Sequence, residues 1–475
     1  MAAAAVDRLS ALADDVLRRV LYFAPAKEGA STAVLSRRWR SLWRTSGAVN
    51  LDLRSYHRAH GSDNTSYDIY KLFLGGIQAA LAATDGPVTR LTFHAEVDRH
   101  VFMLLVNHDG EREQPTLIEV ALAHPAARHV EEVRIAAIDT SCLQPAHHEY
   151  YYCLSFASLL SESLRDLHIV NCTNLTPAPP GTVFPRLTAV RLQGCRVSLS
   201  CLQDTIDAAP QLVNLHLESS SFPAGRTTLN DQLVCPTVTE LSFEDCSWAS
   251  AEEGAMLELH LPSLRCFRYK GHFHQVTLMK PQVSSSLVRT DLHFTGYTYG
   301  EESKIFWQFL IRNFHMVKVL KLKLDFPLQQ IALPDKKEQD DDLSRNILFH
   351  NVEHLELDGC YGPAIQMEGV AIGDLLHSCP AVRDLHLKVI PIASMPSSFR
   401  SSVETQAQLD FDKSSSLRRV SLQFRVAEPN CLGFQLAKFF AEKSQVLEEL
   451  HVDDGSHKMC EHMNWKQDSH AKVQS

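Results

Sequence analysis

The chain of 475 residues is too long for one ordinary core, so more than one domain or an array of repeats is expected. With 45% hydrophobic and 21% charged residues most of it should fold, and a formal net charge of −10 argues against a general nucleic-acid binder. No apolar run approaches the roughly 18 residues that a membrane-spanning helix needs. The opening residues, MAAAAVDRLS, lack the basic end and apolar centre of a secretion signal, so the cytosol or nucleus is the expected compartment. There the 12 cysteines stay reduced, and their spacing gives no CxxC pair and no zinc set. No metal or cofactor site is read.

The first predicted element is a helix in LADDVLRRVLYFAP, with Val16, Leu17, Val20 and Leu21 as one apolar stripe, Asp14 and Asp15 at its start and Pro25 as its stop. A second helix is expected from Lys27 to Val34, weakened by Gly29. Ser36 caps a third, which carries Trp39, Leu42 and Trp43, with arginines around the rest. Three helices in fewer than 50 residues cannot bury all these apolar groups against one another, and the surplus implies a partner or a neighbouring domain.

The stretch DRLSALADDVLRRVLYFAPAKEGASTAVLSRRWRSLW resembles the F-box, in particular that of plant F-box proteins with leucine-rich repeats. Leu9, Leu12, Asp14, Leu17, Phe23, Pro25, Lys27, Leu35, Ser36, Arg38, Trp39, Arg40, Leu42 and Trp43 match the family pattern in register. Ala13, Ala24 and Gly29 depart from it. The resemblance implies a module, residues 6–50, that binds the Skp-family adaptor of a cullin-based ubiquitin ligase. The residues assigned to the adaptor are Leu9, Leu12, Val16, Leu17, Val20, Leu21, Pro25, Val34, Leu35 and Trp39.

Residues 51–86 read as a linker and connecting helix, with SYHRAHGSDNTSYD as a loop. Beyond them one pattern recurs, apolar-x-x-apolar-x-apolar, often with a cysteine three residues later. It appears as LRDLHIVNC from Leu164, LTAVRLQGC from Leu187, LVNLHLESS from Leu212 and VTELSFEDC from Val238, and further copies run to Leu447. The clear copies start 23 to 26 residues apart, a leucine-rich-repeat period. Each copy is one short strand facing a shared core, and Cys172, Cys195, Cys246 and Cys360 would turn inward as small hydrophobes or bond loop backbone.

Helix-like stretches lie between the strands, as in CLQDTIDAAPQL, FWQFLIRNFHMV, GVAIGDLLHSCPAV and GFQLAKFFAEKSQVL. The predicted fold is therefore α/β: a three-helix F-box, then a curved leucine-rich-repeat solenoid over residues 87–456 with a parallel inner sheet and outer helices. Residues from about 400 to 456 resemble the FBD segment that follows plant F-box repeats, and residues 457–475 form a polar tail. The run Asp335 to Asp342 reads as a solvated loop. His147, His148 and Tyr150 to Tyr152 read as an aromatic contact loop or a loop tip packed on the repeats.

Residues interleaved with the strand leucines face the groove. The target-binding set read from them is His168, Arg191, His216, Arg268, Asp291, Lys321, Glu356 and His386. A mosaic of both signs suits a protein target better than a nucleic acid. The column's histidines offer a pH-sensitive contact. No phosphate cradle, HExxH or GxSxG motif is present, so no enzyme is read. The expected function is that of a substrate receptor of a Skp-cullin-F-box ubiquitin ligase, with an adaptor and cullin as partners, an unnamed target protein and no membrane. The alternative is a non-catalytic scaffold whose helices only cap the repeats.

Overall fold

The structure, a computed structural model, describes residues 11–57, 66–97, 116–140, 152–159, 162–223, 232–248, 257–272, 276–278, 287–296, 302–333, 349–362, 365–392, 416–425, 431–443 and 447–453. The chain divides into two compact units, Met1–Thr228 with Asp245–Ala251, and Leu229–Glu244 with Glu252–Ser475. The expectations for Leu9, for the loop residues His147, His148, Tyr150 and Tyr151, for Asp335 to Asp342 and for the polar tail lie outside the described residues.

The first unit begins with helices α1 (Asp14–Phe23), α2 (Ala26–Ser31) and α3 (Arg37–Arg44). Ala24, the residue before Pro25, is extended at φ −72° and ψ 143°, which ends α1 where the proline requires. The expected helix to Val34 gives way to a 3-10 turn over Thr32–Val34. The hydroxyls of Ser31 and Thr32 donate to the carbonyls of Glu28 and Gly29, both at 2.6 Å, and compete with the helical ladder there.

Six parallel strands follow, paired in chain order: β1 (Ala48–Asp52), β2 (Arg90–Val97), β3 (Glu132–Asp139), β4 (Asp166–Val170), β5 (Ala189–Gln193) and β6 (Asn214–Glu218). The stretch read as linker carries the end of β1, α4 (Arg54–His57) and α5 (Ser66–Ala82). Alternation dictates the burial. Leu51, Phe93, Ile135, Ile169, Leu192 and Leu217 form one inner row by register, each at most 3% exposed. Helices α6 (Leu117–Ala123) and α7 (Leu199–Asp207) lie between strands. Thr116 and Glu119 form a reciprocal cap on α6, and Ser198 caps α7.

After β4, β5 and β6 the chain turns through the left-handed region at Asn171, Gly194 and Ser219, and it does so again at Asp245. These residue types tolerate that conformation, by lack of a Cβ or by a short polar side chain. Each is followed by a small buried side chain: Cys172, Cys195, Ser220 and Cys246. Cys195 Sγ donates to the carbonyls of Ile169 (3.5 Å) and Gln193 (3.4 Å), and Ser220 Oγ accepts from Cys195 N at 3.3 Å. Burial pushes the Cys195 thiol up to about 11. Tyr152 is not a loop aromatic: it opens a short strand, Tyr152–Ser155, is 1% exposed and donates its hydroxyl to Ile135 O at 3.3 Å.

Among the described residues the main sheet of the second unit holds eight parallel strands, again in chain order: β7 (Glu240–Glu244), β8 (Cys266–Gly271), β9 (Arg289–Phe294), β10 (Val319–Pro327), β11 (His354–Tyr361), β12 (Asp384–Pro391), β13 (Arg419–Phe424) and β14 (Glu449–Asp453). Helices α8 (Glu302–Phe314), α9 (Ile365–Ser378) and α10 (Leu432–Lys443) occupy the sequences with helical spacing. The three intervals flanking β7 and β8 carry no helix among the described residues. They carry a second parallel sheet of Gln232–Val234, Leu257–His260 and Val276–Leu278. The reason is in the sequence: Leu257, Leu259 and Leu261 alternate with polar residues, and Pro262 closes the run.

Cys360 departs from the expected position. Strand β11 continues to Tyr361, so Cys360 lies within the strand on the face opposite its buried row and is half-buried. Nearby, Glu368 of α9 is fully buried. It accepts from Gly362 N at 3.0 Å and from Gln329 N, while Asp374 accepts from Leu333 N at 2.8 Å. The helix thereby staples the segment after β10. Burial raises the Glu368 carboxyl to about 7 against the pull of its two backbone donors.

Candidate functional site

Two kinds of surface emerge, an apolar one on the three helices and a polar one on each sheet. The helical module closes a small core of Leu17, Leu21, Trp39 and Leu42, with Trp43 packed against it. Ser36 Oγ accepts from Trp39 N and fixes the start of α3. Ala13 offers α1 no side-chain cap, and the start of the helix is tied to α3 by Arg38, which donates to Asp14 Oδ1 (2.8 Å) and to Leu12 O (2.6 Å). Gly29, which the sequence presents as a weak helix residue, is buried, and a Cβ there would come within 2.5 Å of Trp43 Cδ1.

Burial divides the residues assigned to the adaptor, and three of them, Leu17, Leu21 and Trp39, close the module's own core instead of facing outward. Pro25 is half-buried. Leu12, Val16 and Val20, four residues apart, are exposed, as are Val34 (88%) and Leu35 (67%) on the 3-10 turn. An apolar set this exposed on a module with a closed core is unusual for a solvent-facing surface.

The module also docks on its own sheet. Asn50 of β1 donates to the carbonyls of Tyr22 and Ala24, both at 2.9 Å, filling acceptors that the end of α1 leaves open. Its Oδ1 accepts from Thr92 at 2.9 Å. Arg90 of β2 lies over the Tyr22 and Phe23 rings. Lys27 donates to Ser55 O, and Arg44 reaches Ala83 O and Asp85.

On the sheet of the first unit, register aligns Asn50, Thr92, Arg134, His168, Arg191 and His216 in one outward row. On the second it aligns Ser242, Arg268, Asp291, Lys321, Glu356, His386, Ser421 and His451. All eight residues read as groove residues thus stand in the rows that interleaving predicted, three in one unit and five in the other. The sequence did not disclose their pairing. Arg268 lies 3.6 Å from Asp291, which also accepts from Arg289 at 2.9 Å, and Lys321 pairs with Glu356. His354 and His386 lie ring to ring at 5.1 Å. Burial, with Arg134 and Arg191 on either side, lowers His168 to about 4, so it is neutral at physiological pH and is not a pH switch.

Among the described residues no group of three or more His, Cys, Asp or Glu is placed to hold a metal ion, and no helix is long and apolar enough to cross a membrane.

No family model matches the chain. Similarity to individual proteins is extensive but low. An F-box/LRR-repeat protein of Arabidopsis thaliana is 24% identical over 344 residues, 67% of this chain and 60% of its own length. Another F-box/LRR-repeat protein of that plant is 24% identical over 392 residues, 81% of this chain and 80% of its own. An F-box/FBD/LRR-repeat protein, also from Arabidopsis thaliana, is 34% identical over 85 residues, 18% of each chain. The chain therefore spans 60% of the first relative's length and 18% of the last. These names state an F-box and leucine-rich repeats, and one of them an FBD segment.

Proposed function

Taking the chain as a relative of the plant F-box/LRR-repeat proteins, we propose that it is a substrate receptor of a Skp-cullin-F-box ubiquitin ligase. Val16 and Val20 of α1 and Leu12 just before it, together with Val34 and Leu35, dock the Skp-family adaptor, which links the chain to a cullin. The outward rows of the repeat sheets hold a target protein. The observation that carries this reading is the exposed apolar set on a module whose core is already closed by Leu17, Leu21, Trp39 and Leu42. The chain's contribution to chemistry is proximity: holding the target raises the effective concentration of its lysines at the charged enzyme. Cytosol or nucleus is the compartment in which such a receptor would work.

The scaffold reading has an observation of its own, since Asn50, Arg90, Lys27 and Arg44 fasten the three helices to the sheet's first strands. Fastening uses the α1 C-terminus, Lys27 of α2 and Arg44 of α3 and does not consume Val16 or Val20, so capping and adaptor docking are compatible. Co-purification of the full-length chain with a Skp adaptor separates them: retention supports the receptor, and loss alongside a retained control F-box protein leaves only the cap.

A further inference from the structure

Most cations on or beside the outward rows have a carboxylate partner. In the second unit Arg268 and Arg289 meet Asp291, Lys388 meets Asp358 at 3.2 Å and Arg419 meets Asp384. In the first, Arg54 of the adjoining helix α4 meets Asp52 at 2.8 Å and Arg90 of β2 meets Glu132 at 3.5 Å. Arg134 and Arg191 stand apart from these pairs: both are exposed, and among the described residues neither side chain makes a hydrogen bond or an ion pair.

The two arginines flank His168 in one row, through the register pairs Arg134 with His168 and His168 with Arg191. Two strand spacings put their Cα atoms about 10 Å apart, a gap two guanidinium arms can close over a single anion. Between them, His168 Nε2 is buried without a partner, while the Gln193 side chain bonds the ring. The carboxylates on the neighbouring strands are engaged elsewhere or set aside. Glu132 faces Arg90, and Glu218 takes His216 at 3.3 Å and Gln193 at 3.5 Å. Asp166 feels both Arg191 and Arg90 yet is half-desolvated, and burial raises its pKa.

We propose that Arg134 and Arg191, with His168 between them, form an oxyanion subsite that takes a phosphate or carboxylate side chain of the bound target. The inference rests on the reading of this face as the target surface. Planar guanidinium forks suit both groups, and an anion seated there offsets the mutual repulsion of the two arginines. By linkage, the same anion draws a proton toward His168 and moves its titration upward.

The test uses the full-length chain labelled with ¹⁵N at histidine, titrated in one arm with O-phosphoserine and in the other with N-acetylglutamate. A saturable shift of the His168 ring signals in either arm is expected, with an upward move of its titration midpoint. A response to O-phosphoserine alone identifies phosphate as the source, and a response to both, since each carries a carboxylate, identifies carboxylate. Affinity should fall about tenfold or more in R134Q and R191Q and hold in R268Q. Both substituted arginines are exposed, and the remaining histidine signals report that the variants stay folded. No saturable shift in either arm, or a shift that R134Q and R191Q leave intact, overturns the subsite. Target retention separates this from the groove reading. If R268Q and K321Q lose a captured target while R134Q and R191Q keep it, the subsite fails and the groove stands. If none of the four changes retention, the groove reading itself fails.

Discussion

Gly29 and Trp43 share one space: a Cβ at position 29 would meet Trp43 Cδ1 at 2.5 Å and Nε1 at 2.7 Å. Helix propensity alone favours alanine there by up to about 1 kcal/mol. Overpacking reverses the sign, since the indole must leave its place against the Leu17, Leu21 and Leu42 core. Gly29→Ala is expected to cost the module about 1–3 kcal/mol. Hydrogen exchange across α1 to α3 in the full-length chain reads it directly; unchanged protection would show that the indole yields without loss.

The two sides of α1 should respond differently to charge. Leu17→Asp places a carboxylate at a site 0% exposed, so it should unfold the module. Val16→Asp and Val20→Asp lie at 43% and 52% exposure and should leave helical content and α1 protection unchanged. Circular dichroism and hydrogen exchange on the three variants check the division; equal damage from all three would contradict it.

Asn50 connects module and sheet. Replacing it with alanine strands the carbonyls of Tyr22 and Ala24 together with the Thr92 hydroxyl. The expected cost is about 1–3 kcal/mol, concentrated at the α1 C-terminus. Faster exchange or proteolysis near residues 22–26 is the readout, and a change spread evenly over the chain would count against this contact.

Glu368 ties stability to pH. Its carboxyl titrates at about 7 when folded against 4.5 as an ordinary glutamate. Between those values the folded state holds the extra proton, so stability falls as pH rises from about 4.5 to about 7. The decline should be on the order of 3 kcal/mol. Glu368→Gln turns an amide donor toward a backbone N–H and should be less stable throughout, but with no such decline. The gap between the two proteins in urea midpoint should therefore narrow as pH rises; a constant gap would contradict the assignment.

Much of this architecture was readable from period alone. The alternation in LRDLHIVNC and its copies dictates one buried row and one outward row, which is why His168 to His386 could be placed before any coordinates. What stayed hidden depends on contacts between distant residues. Gly29 reads as a defect until Trp43 is packed on it. Leu17 and Val16 are equally apolar, and only the position of α3 decides which is covered. Tyr152 continued a run of polar and aromatic loop residues, yet a strand buries it. The left-handed turns at Asn171, Gly194, Ser219 and Asp245 do leave a signal, a turn-forming residue just before each small buried one.

The most direct measurement is the affinity of the full-length chain for a purified Skp adaptor, compared with V16D/V20D and with R268Q by calorimetry. Binding by the parent and by R268Q is expected, and its loss in V16D/V20D with the module still folded. Undiminished binding by V16D/V20D, or no binding by the parent, would contradict it.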